Sequence, residues 1–157
     1  MKKHELTDDT ITVGGRILHR IKALKSFSDV EEGDLGGYVE KEDNLNQSGN
    51  AWVYGDARVS GNAQVCGDAR VYGDARVYGD AWVSGENDYT TAKGFGREYR
   101  TTTFFRLKDG GIGVRCGCFY GTLDEFRKKV KETHKESKLG KEYLMLADLM
   151  EYKFKNE

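Results

Sequence analysis

The sequence predicts a mainly β protein. Its centre is a short parallel β-solenoid of about two regular coils, preceded by an irregular initial coil and closed by a cap at each end. Three observations predict this fold: residues 49–84 repeat every six positions, strand-like segments flank a two-glycine turn near the N-terminus, and a second strand pair with two helical patterns follows the repeat. The predicted organisation is an N-terminal β-hairpin cap at 1–33, the solenoid at 34–85 and an α+β cap at 86–157.

The repeat consists of six uninterrupted hexapeptides, GNAWVY, GDARVS, GNAQVC, GDARVY, GDARVY and GDAWVS. Alanine and valine lie two positions apart in each unit, so both side chains point to the same side of a short strand. Glycine followed by Asp or Asn suits a tight corner, where a positive φ or a local side-chain hydrogen bond is tolerated. Three units therefore close a triangular coil of 18 residues, and the six units build two coils.

This pattern resembles the hexapeptide-repeat left-handed β-helix family, in which an aliphatic residue recurs at every sixth position with a small residue two positions before it. The resemblance covers residues 49–85 and implies coils that wind left-handedly. Two coils stacked at the spacing of β-strands are only about 10 Å tall. A solenoid this short needs caps, and the rest of the chain is expected to supply them.

The segment before the repeat is predicted to form the first cap. Residues 10–13 and 16–21 flank the pair Gly14-Gly15, which is typical of a β-hairpin. Residues 34–48 are predicted to form the irregular initial coil, because Val39 and Leu45 are six positions apart as in the repeat.

The segment after the repeat is predicted to form the second cap. Residues 100–107 and 112–116 flank a turn sequence, KDGG, and predict another hairpin. Thr122 and Glu125 have the spacing of a capping box and predict the start of a helix. A second helical pattern of buried positions follows Gly140 and ends near residue 154.

Three other segments, ILHRIKAL at 17–24, GDLGGYVEKE at 33–42 and CGCFYGTL at 116–123, resemble small proteins encoded by bacteriophages and prophages. That resemblance implies an infected or lysogenic bacterial host, and it implies no particular activity.

Composition excludes several classes of protein. The formal net charge is −1 and the pI is about 6.3, so a generically basic nucleic-acid binder is excluded and bulk nucleic acid is an unlikely partner. No stretch reaches the 18 or so apolar residues of a membrane span, and no apolar signal core follows the first residues. Three cysteines are too few for a disulfide scaffold. We therefore expect a cytoplasmic protein with reduced thiols.

The positions of the histidines argue against the enzymatic activities known in the β-helix family that the repeat resembles. In that family acyltransferases use a histidine as general base, and carbonic anhydrases use three as zinc ligands. None of His4, His19 and His134 lies in the repeat. Both activities are therefore disfavoured, and no catalytic residue is assigned.

Metal sites are disfavoured as well. Cys116 and Cys118 are placed by the sequence on one side of a strand end, but a zinc site needs further ligands and Cys66 lies in the repeat. Asp56 and Asp74 form the one stacked corner pair in which both residues are acidic, and calcium could bridge them. The general preference of Asp and Asn for turns explains the pattern equally well. We predict no metal and no cofactor.

The outward repeat positions carry the candidate binding residues. Adding 18 gives the neighbour in the next coil, so Trp52 stacks on Arg70, and Arg58 on Arg76. Aromatic and arginine side chains without lysine or glutamate are typical of interface cores, although Trp and Tyr also favour strands for packing alone. A ring beside a guanidinium suits a flat base and a phosphate. The candidate ligand-binding residues are Trp52, Tyr54, Arg58, Arg70, Tyr72, Arg76, Tyr78 and Trp82.

Together these features predict a non-enzymatic, homo-oligomeric binding protein of phage type, a trimer or a dimer of trimers. We expect counter-defence activity, either sequestering a nucleotide-like signal or blocking a host defence protein through grooves between subunits. The alternatives are a structural self-assembly protein that stacks end to end, and an enzyme of unrecognised type.

Overall fold

The structure is a computed structural model that describes residues 1–155. Its order is a hairpin, a strand joining the hairpin to the coils, six two-residue strands, a four-stranded meander and two helices. The strands are β1 His4–Val13, β2 Arg16–Ala23, β3 Leu35–Val39, β4 Trp52–Val53, β5 Arg58–Val59, β6 Gln64–Val65, β7 Arg70–Val71, β8 Arg76–Val77, β9 Trp82–Val83, β10 Tyr89–Phe95, β11 Arg100–Arg106, β12 Ile112–Cys116 and β13 Phe119–Thr122. The helices are α1 Leu123–His134 and α2 Lys138–Lys153, with short 3-10 helices at Glu42–Asn44 and Glu86–Asp88.

The six repeat strands form two stacked coils, as the sequence predicted. They pair in parallel one coil apart, β4 with β7, β5 with β8 and β6 with β9, and these three pairs are named face 1, face 2 and face 3 below. Every repeat alanine and valine points inward and is at most 2% exposed, Val71 included. The alternation of inward alanine and valine with outward residues therefore builds the core of the solenoid.

The corners depend on glycine. The glycine of all six repeats has a φ between 57° and 76°, in the left-handed region that L side chains rarely adopt. At Gly61 an added Cβ would lie 2.9 Å from the backbone nitrogen of Gly79 in the next coil. Glycine is thus required there both for its φ and for the close approach of the two backbones.

The initial coil is present and contains two more residues than each regular coil. Val39 pairs in parallel with Val59, and Leu45 bridges to Val65, so this coil is offset by 20 residues instead of 18. The two extra residues lie between Leu45 and Val53, since Val39 and Leu45 keep the six-residue spacing. Both side chains are fully buried.

The first edge of the solenoid is covered differently on each of its three faces. On face 2, β2 pairs antiparallel with β3 and extends the sheet to the order β1-β2-β3-β5-β8. On face 1, the Lys3 ammonium donates to the Ala51 carbonyl at 2.6 Å. On face 3, the Asn44 side-chain amide donates to the Ala63 carbonyl at 2.9 Å. The carbonyl groups of Ala51 and Ala63 are thereby satisfied. Burial, together with the smaller effect of the nearby Lys25 charge, lowers the pKa of Lys3 to about 8.

The last coil is covered by the C-terminal half of the chain. The Arg76 backbone N–H donates to the Thr103 hydroxyl at 2.9 Å, and the Tyr89 hydroxyl donates to the Arg70 carbonyl at 2.7 Å. Strands β10 to β13 form an antiparallel meander, of which the sequence predicted only the β11–β12 hairpin. Phe105 packs into the solenoid core and Phe104 into a second core under the helices. Strand β11 is therefore buried on both of its faces.

The two helices agree with the sequence prediction. Thr122 is the N-cap of α1, its hydroxyl accepts from the Glu125 N–H at 3.2 Å, and the Glu125 carboxylate accepts from the Thr122 N–H at 2.9 Å. Helix α2 begins before Gly140, because Ser137 is its N-cap. Within residues 1–155, neither helix has the length and apolar character needed to cross a membrane.

Candidate functional site

Trp52 is not available to a ligand or a neighbouring subunit, and the expectation that it is exposed is wrong. Its side chain is only 2% exposed. Phe27 packs edge-on against the indole with 5.4 Å between ring centroids, and His4 does so at 6.5 Å. The loop between β2 and β3 folds back over face 1, which the repeat pattern alone could not reveal.

The rest of face 1 is partly engaged by the same loop. The Tyr54 hydroxyl donates to Asp29 at 2.8 Å, and Arg70 donates to the Ser28 hydroxyl at 3.2 Å. Burial and the Asp29 carboxylate raise the pKa of Tyr54 to about 12. Tyr72 remains 54% exposed. Arg70 therefore lacks the accessible Trp52 ring on which the predicted base-and-phosphate pair depended.

Face 3 carries a single large aromatic residue. Trp82 is 38% exposed, and the Lys108 ammonium lies 5.9 Å from the centroid of its ring. Cys66 is half-buried on the same face, and its pKa is raised by burial and by nearby Asp88. This face has no arginine at its repeat positions.

Face 2 brings together three of the predicted residues. Arg58 lies directly above Arg76 in the parallel register. Beside them the Tyr78 ring has guanidinium groups from both caps near its face, Arg16 at 5.2 Å and Arg115 at 4.6 Å from the centroid. Tyr120 packs edge-on against Tyr78, with 4.8 Å between the ring centroids.

Three arginines at face 2 have no ion-pair partner among the described residues, although Asp74 lies near Arg76 and Arg16 pairs with Glu40. Within residues 1–155, neither Arg58, Arg76 nor Arg115 forms an ion pair with a carboxylate, and the guanidinium groups of Arg58 and Arg76 form no hydrogen bond. Burial lowers the pKa of Arg76, and the charges of Arg58 and Arg115 lower it further. Like charges directly opposite each other in a sheet destabilise it, so the Arg58–Arg76 pair lowers the stability of the coils.

The C-terminal meander completes the site. The Arg115 Nε donates to the Gly117 carbonyl at 3.1 Å, and the Arg100 guanidinium occupies the space that a side chain at Gly117 would need. The turn after β12 thus positions two arginines beside Arg76. We name Arg58, Arg76, Arg100 and Arg115 the arginine surface.

A cavity of about 460 Å³ opens beside Arg76 on the arginine surface, with Arg100 and Lys93 in its walls. Two of the cations that line it have acidic partners, since Arg100 pairs with Glu98, and Lys93 pairs with Asp74 at 3.3 Å. Arg76 has none in the part of the chain that the structure describes. Arg100 and Arg115 were not predicted as site residues, because nothing in their local sequence indicates that they pack beside the repeat.

The residues considered for metals are dispersed. Cys116 ends β12, whereas Cys118 lies in the turn after Gly117, whose φ is 59°, so the prediction that both thiols lie on one side of a strand end is wrong. Asp56 lies 3.6 Å from Arg20, and Asp74 has Lys93. Residues 1–155 contain no group of three or more His, Cys, Asp or Glu side chains arranged to hold a metal ion.

Comparison with known proteins supports the solenoid. The family model described as the YdcK beta solenoid repeat matches residues 51–67, 63–75 and 69–85. The central part of the chain is therefore built of beta-solenoid repeats. No curated protein matches the chain.

Proposed function

We propose that this protein is a non-enzymatic, homo-oligomeric binding protein that holds a nucleotide-like phosphate ligand on the arginine surface. The observation that carries the proposal is the unpaired charge of Arg58, Arg76 and Arg115 on one side of a rigid coil. A phosphate would neutralise that charge, and guanidinium groups bind phosphate oxygens through parallel hydrogen bonds.

The structural context favours a bound anion over a purely structural role for the arginine stack. Like charges placed opposite each other lower the stability of a sheet. The half-buried Arg76 also loses solvation without gaining an ion-pair partner, which lowers stability further. Arrangements that lower stability in this way are common where a ligand must bind. Tyr78, with the guanidinium groups of Arg16 and Arg115 close to its ring, adds an aromatic side chain to this face.

Arg76→Ala tests the proposal. We expect calorimetric titration with inorganic pyrophosphate at low ionic strength to give a dissociation constant at least tenfold weaker in the variant, because a charge-assisted hydrogen bond contributes roughly 1.5–3 kcal/mol. The melting temperature should stay the same or rise, since the variant removes a half-buried charge that faces other cations.

The matched control is Arg70→Ala, which removes the arginine at the same repeat position on face 1. Its affinity for pyrophosphate should stay close to that of the parent. Arg76→Lys should restore little binding, because an ammonium lacks the planar fork. Equal affinity of parent and Arg76→Ala at an unchanged oligomeric state, or no binding by the parent, would contradict the proposal.

We also propose where the protein acts and what it binds there. The coils are proposed to wind left-handedly, and the protein to be of phage or prophage type, acting in the cytoplasm of an infected or lysogenic bacterium. There it would sequester a nucleotide signal of host defence, in preference to blocking a defence protein, because the arginine surface suits a phosphate. The test is mass spectrometry of small molecules released from protein purified out of defence-active cells, where a phosphate-free extract would contradict the proposal.

Self-association is the remaining part of the proposal. Tyr72 and Trp82 stay exposed on faces 1 and 3 and support side-by-side contact of coils. End-to-end stacking is disfavoured, because the first coil is covered by β2 and the last by β11.

Sedimentation velocity at micromolar concentration should give a trimer or a dimer of trimers. Replacing both Tyr72 and Trp82 with serine should shift the distribution to monomer, whereas the exposed Gln64→Ser control should not. A monomeric parent would contradict the prediction.

A further inference from the structure

A second cavity, about 270 Å³ in volume, lies between the meander and the two helices. Its walls are aromatic, with Phe95, Phe119, Phe126 and Tyr143 among them. The rings of Phe119 and Tyr143 lie 5.8 Å and 5.5 Å from that of Phe126, measured between centroids. Such a ring-lined space suits a flat, apolar group.

The aromatic cavity adjoins the arginine surface. Arg100 and Glu98 line both this cavity and the cavity beside Arg76. Further cations stand at the aromatic cavity, since Lys129 of α1 and Arg97 belong to its walls. An anionic molecule with a flat ring could therefore reach from one cavity into the other past Arg100.

We propose that the aromatic cavity holds the nucleobase of the ligand whose phosphates lie on the arginine surface. The inference rests on the proposed function and adds to it the place where the base of the nucleotide binds. Stacking of a base on aromatic side chains is a common source of nucleotide affinity that does not depend on base identity. The guanidinium of Arg100 lies between the two halves of the site and would contact the sugar–phosphate portion.

The reactivity of the Cys116 thiol can show whether a molecule occupies this cavity. Its thiol lies in the wall, accepts from the Thr102 hydroxyl at 3.3 Å and lies 3.7 Å from the Tyr143 hydroxyl. Cys118, two positions later, is exposed in the turn outside the cavity. A molecule in the cavity should therefore protect Cys116 from alkylation and leave Cys118 reactive.

The experiment compares adenosine 5′-diphosphate with inorganic pyrophosphate by calorimetry on the full chain. We expect the parent to bind the nucleotide about tenfold more tightly, as expected for one stacked base. Thr133→Trp places a bulky ring at an exposed position of α1 that lines the cavity. It should remove the nucleotide's advantage and leave pyrophosphate affinity unchanged. Met145→Trp, on an exposed position of α2 away from the cavity, is the matched control.

The outcomes separate this inference from the proposed function. If pyrophosphate binds and the nucleotide binds no more tightly, the base site is wrong and the arginine surface stands. If the nucleotide keeps its advantage in Thr133→Trp, or fails to slow modification of Cys116 by N-ethylmaleimide relative to Cys118, the base lies elsewhere and the inference is overturned. If neither probe binds the parent, the proposed function fails and the base site fails with it.

Discussion

Val71→Asp is expected to unfold the protein at room temperature. Val71 lies in the second coil, is 0% exposed and pairs with Val53 of the first coil. The described core cluster that contains Val71 consists of aliphatic and aromatic side chains, so an aspartate there would lack both water and a carboxylate-binding partner. Burial of an unpaired carboxylate costs several kcal/mol, which is comparable with the whole free energy of unfolding of a domain, about 5–15 kcal/mol.

Circular dichroism and urea titration measure this effect. The matched control is Gln64→Asp, which adds the same charge at an exposed outward position of β6 and should keep the parent's unfolding midpoint. A Val71→Asp protein that melts within a few degrees of the parent would show that the valines do not form the interior of the coils.

Acidification should destabilise the protein through His4. This ring is 0% exposed, and neither ring nitrogen has a hydrogen-bond partner among the described residues. Burial lowers the pKa of His4 from 6.5 to about 4, and the charges of Lys3 and Lys2 act in the same direction against that of Glu42. Above pH 6.5 the histidine is neutral in both states and has no effect. As the pH falls from 6.5 to 4, only the unfolded chain takes up the proton, so stability falls by about 3 kcal/mol and then levels off.

The measurement is the free energy of unfolding in urea between pH 7 and pH 4 for the parent and for His4→Phe. Carboxylates titrate in both proteins, so the difference between them isolates His4. We expect His4→Phe to gain relative to the parent as the pH falls. His134→Phe, which replaces a half-exposed histidine of α1, should keep the parent's acid sensitivity. Parallel curves for the parent and His4→Phe would mean that His4 takes up its proton over the same pH range in the folded and unfolded states, and would contradict the prediction.

The N-terminal cap links these stability effects to the candidate site. Lys3 and His4 lie over face 1 with Phe27, so the residues that cover the first coil also remove Trp52 from the surface. Face 2 has no such cover over its arginine pair, because there the cap pairs edge to edge with β3. The position of the cap thus leaves open the face whose arginines lack ion-pair partners.

The sequence was sufficient to predict the coils and both helices. Each of these depends on short-range patterns, since the inward side chains recur every six residues and the α1 capping box spans four residues. Strands β10 and β13 were not predicted. Their edge positions in the meander are stabilised by pairing with β11 and β12, and they lack a strong alternation of their own.

The sequence by itself determined the interior of the solenoid and the positions of its outward side chains. Both follow from the local geometry of a strand and a glycine corner. Only the tertiary structure decided which outward side chains remain accessible and which charges meet. Trp52 is covered by a loop about 25 residues away in the chain, and Arg76 meets Arg115 from the far cap. Contacts between segments so distant in sequence arise from how the caps pack on the coils, and the six-residue period carries no information about that packing.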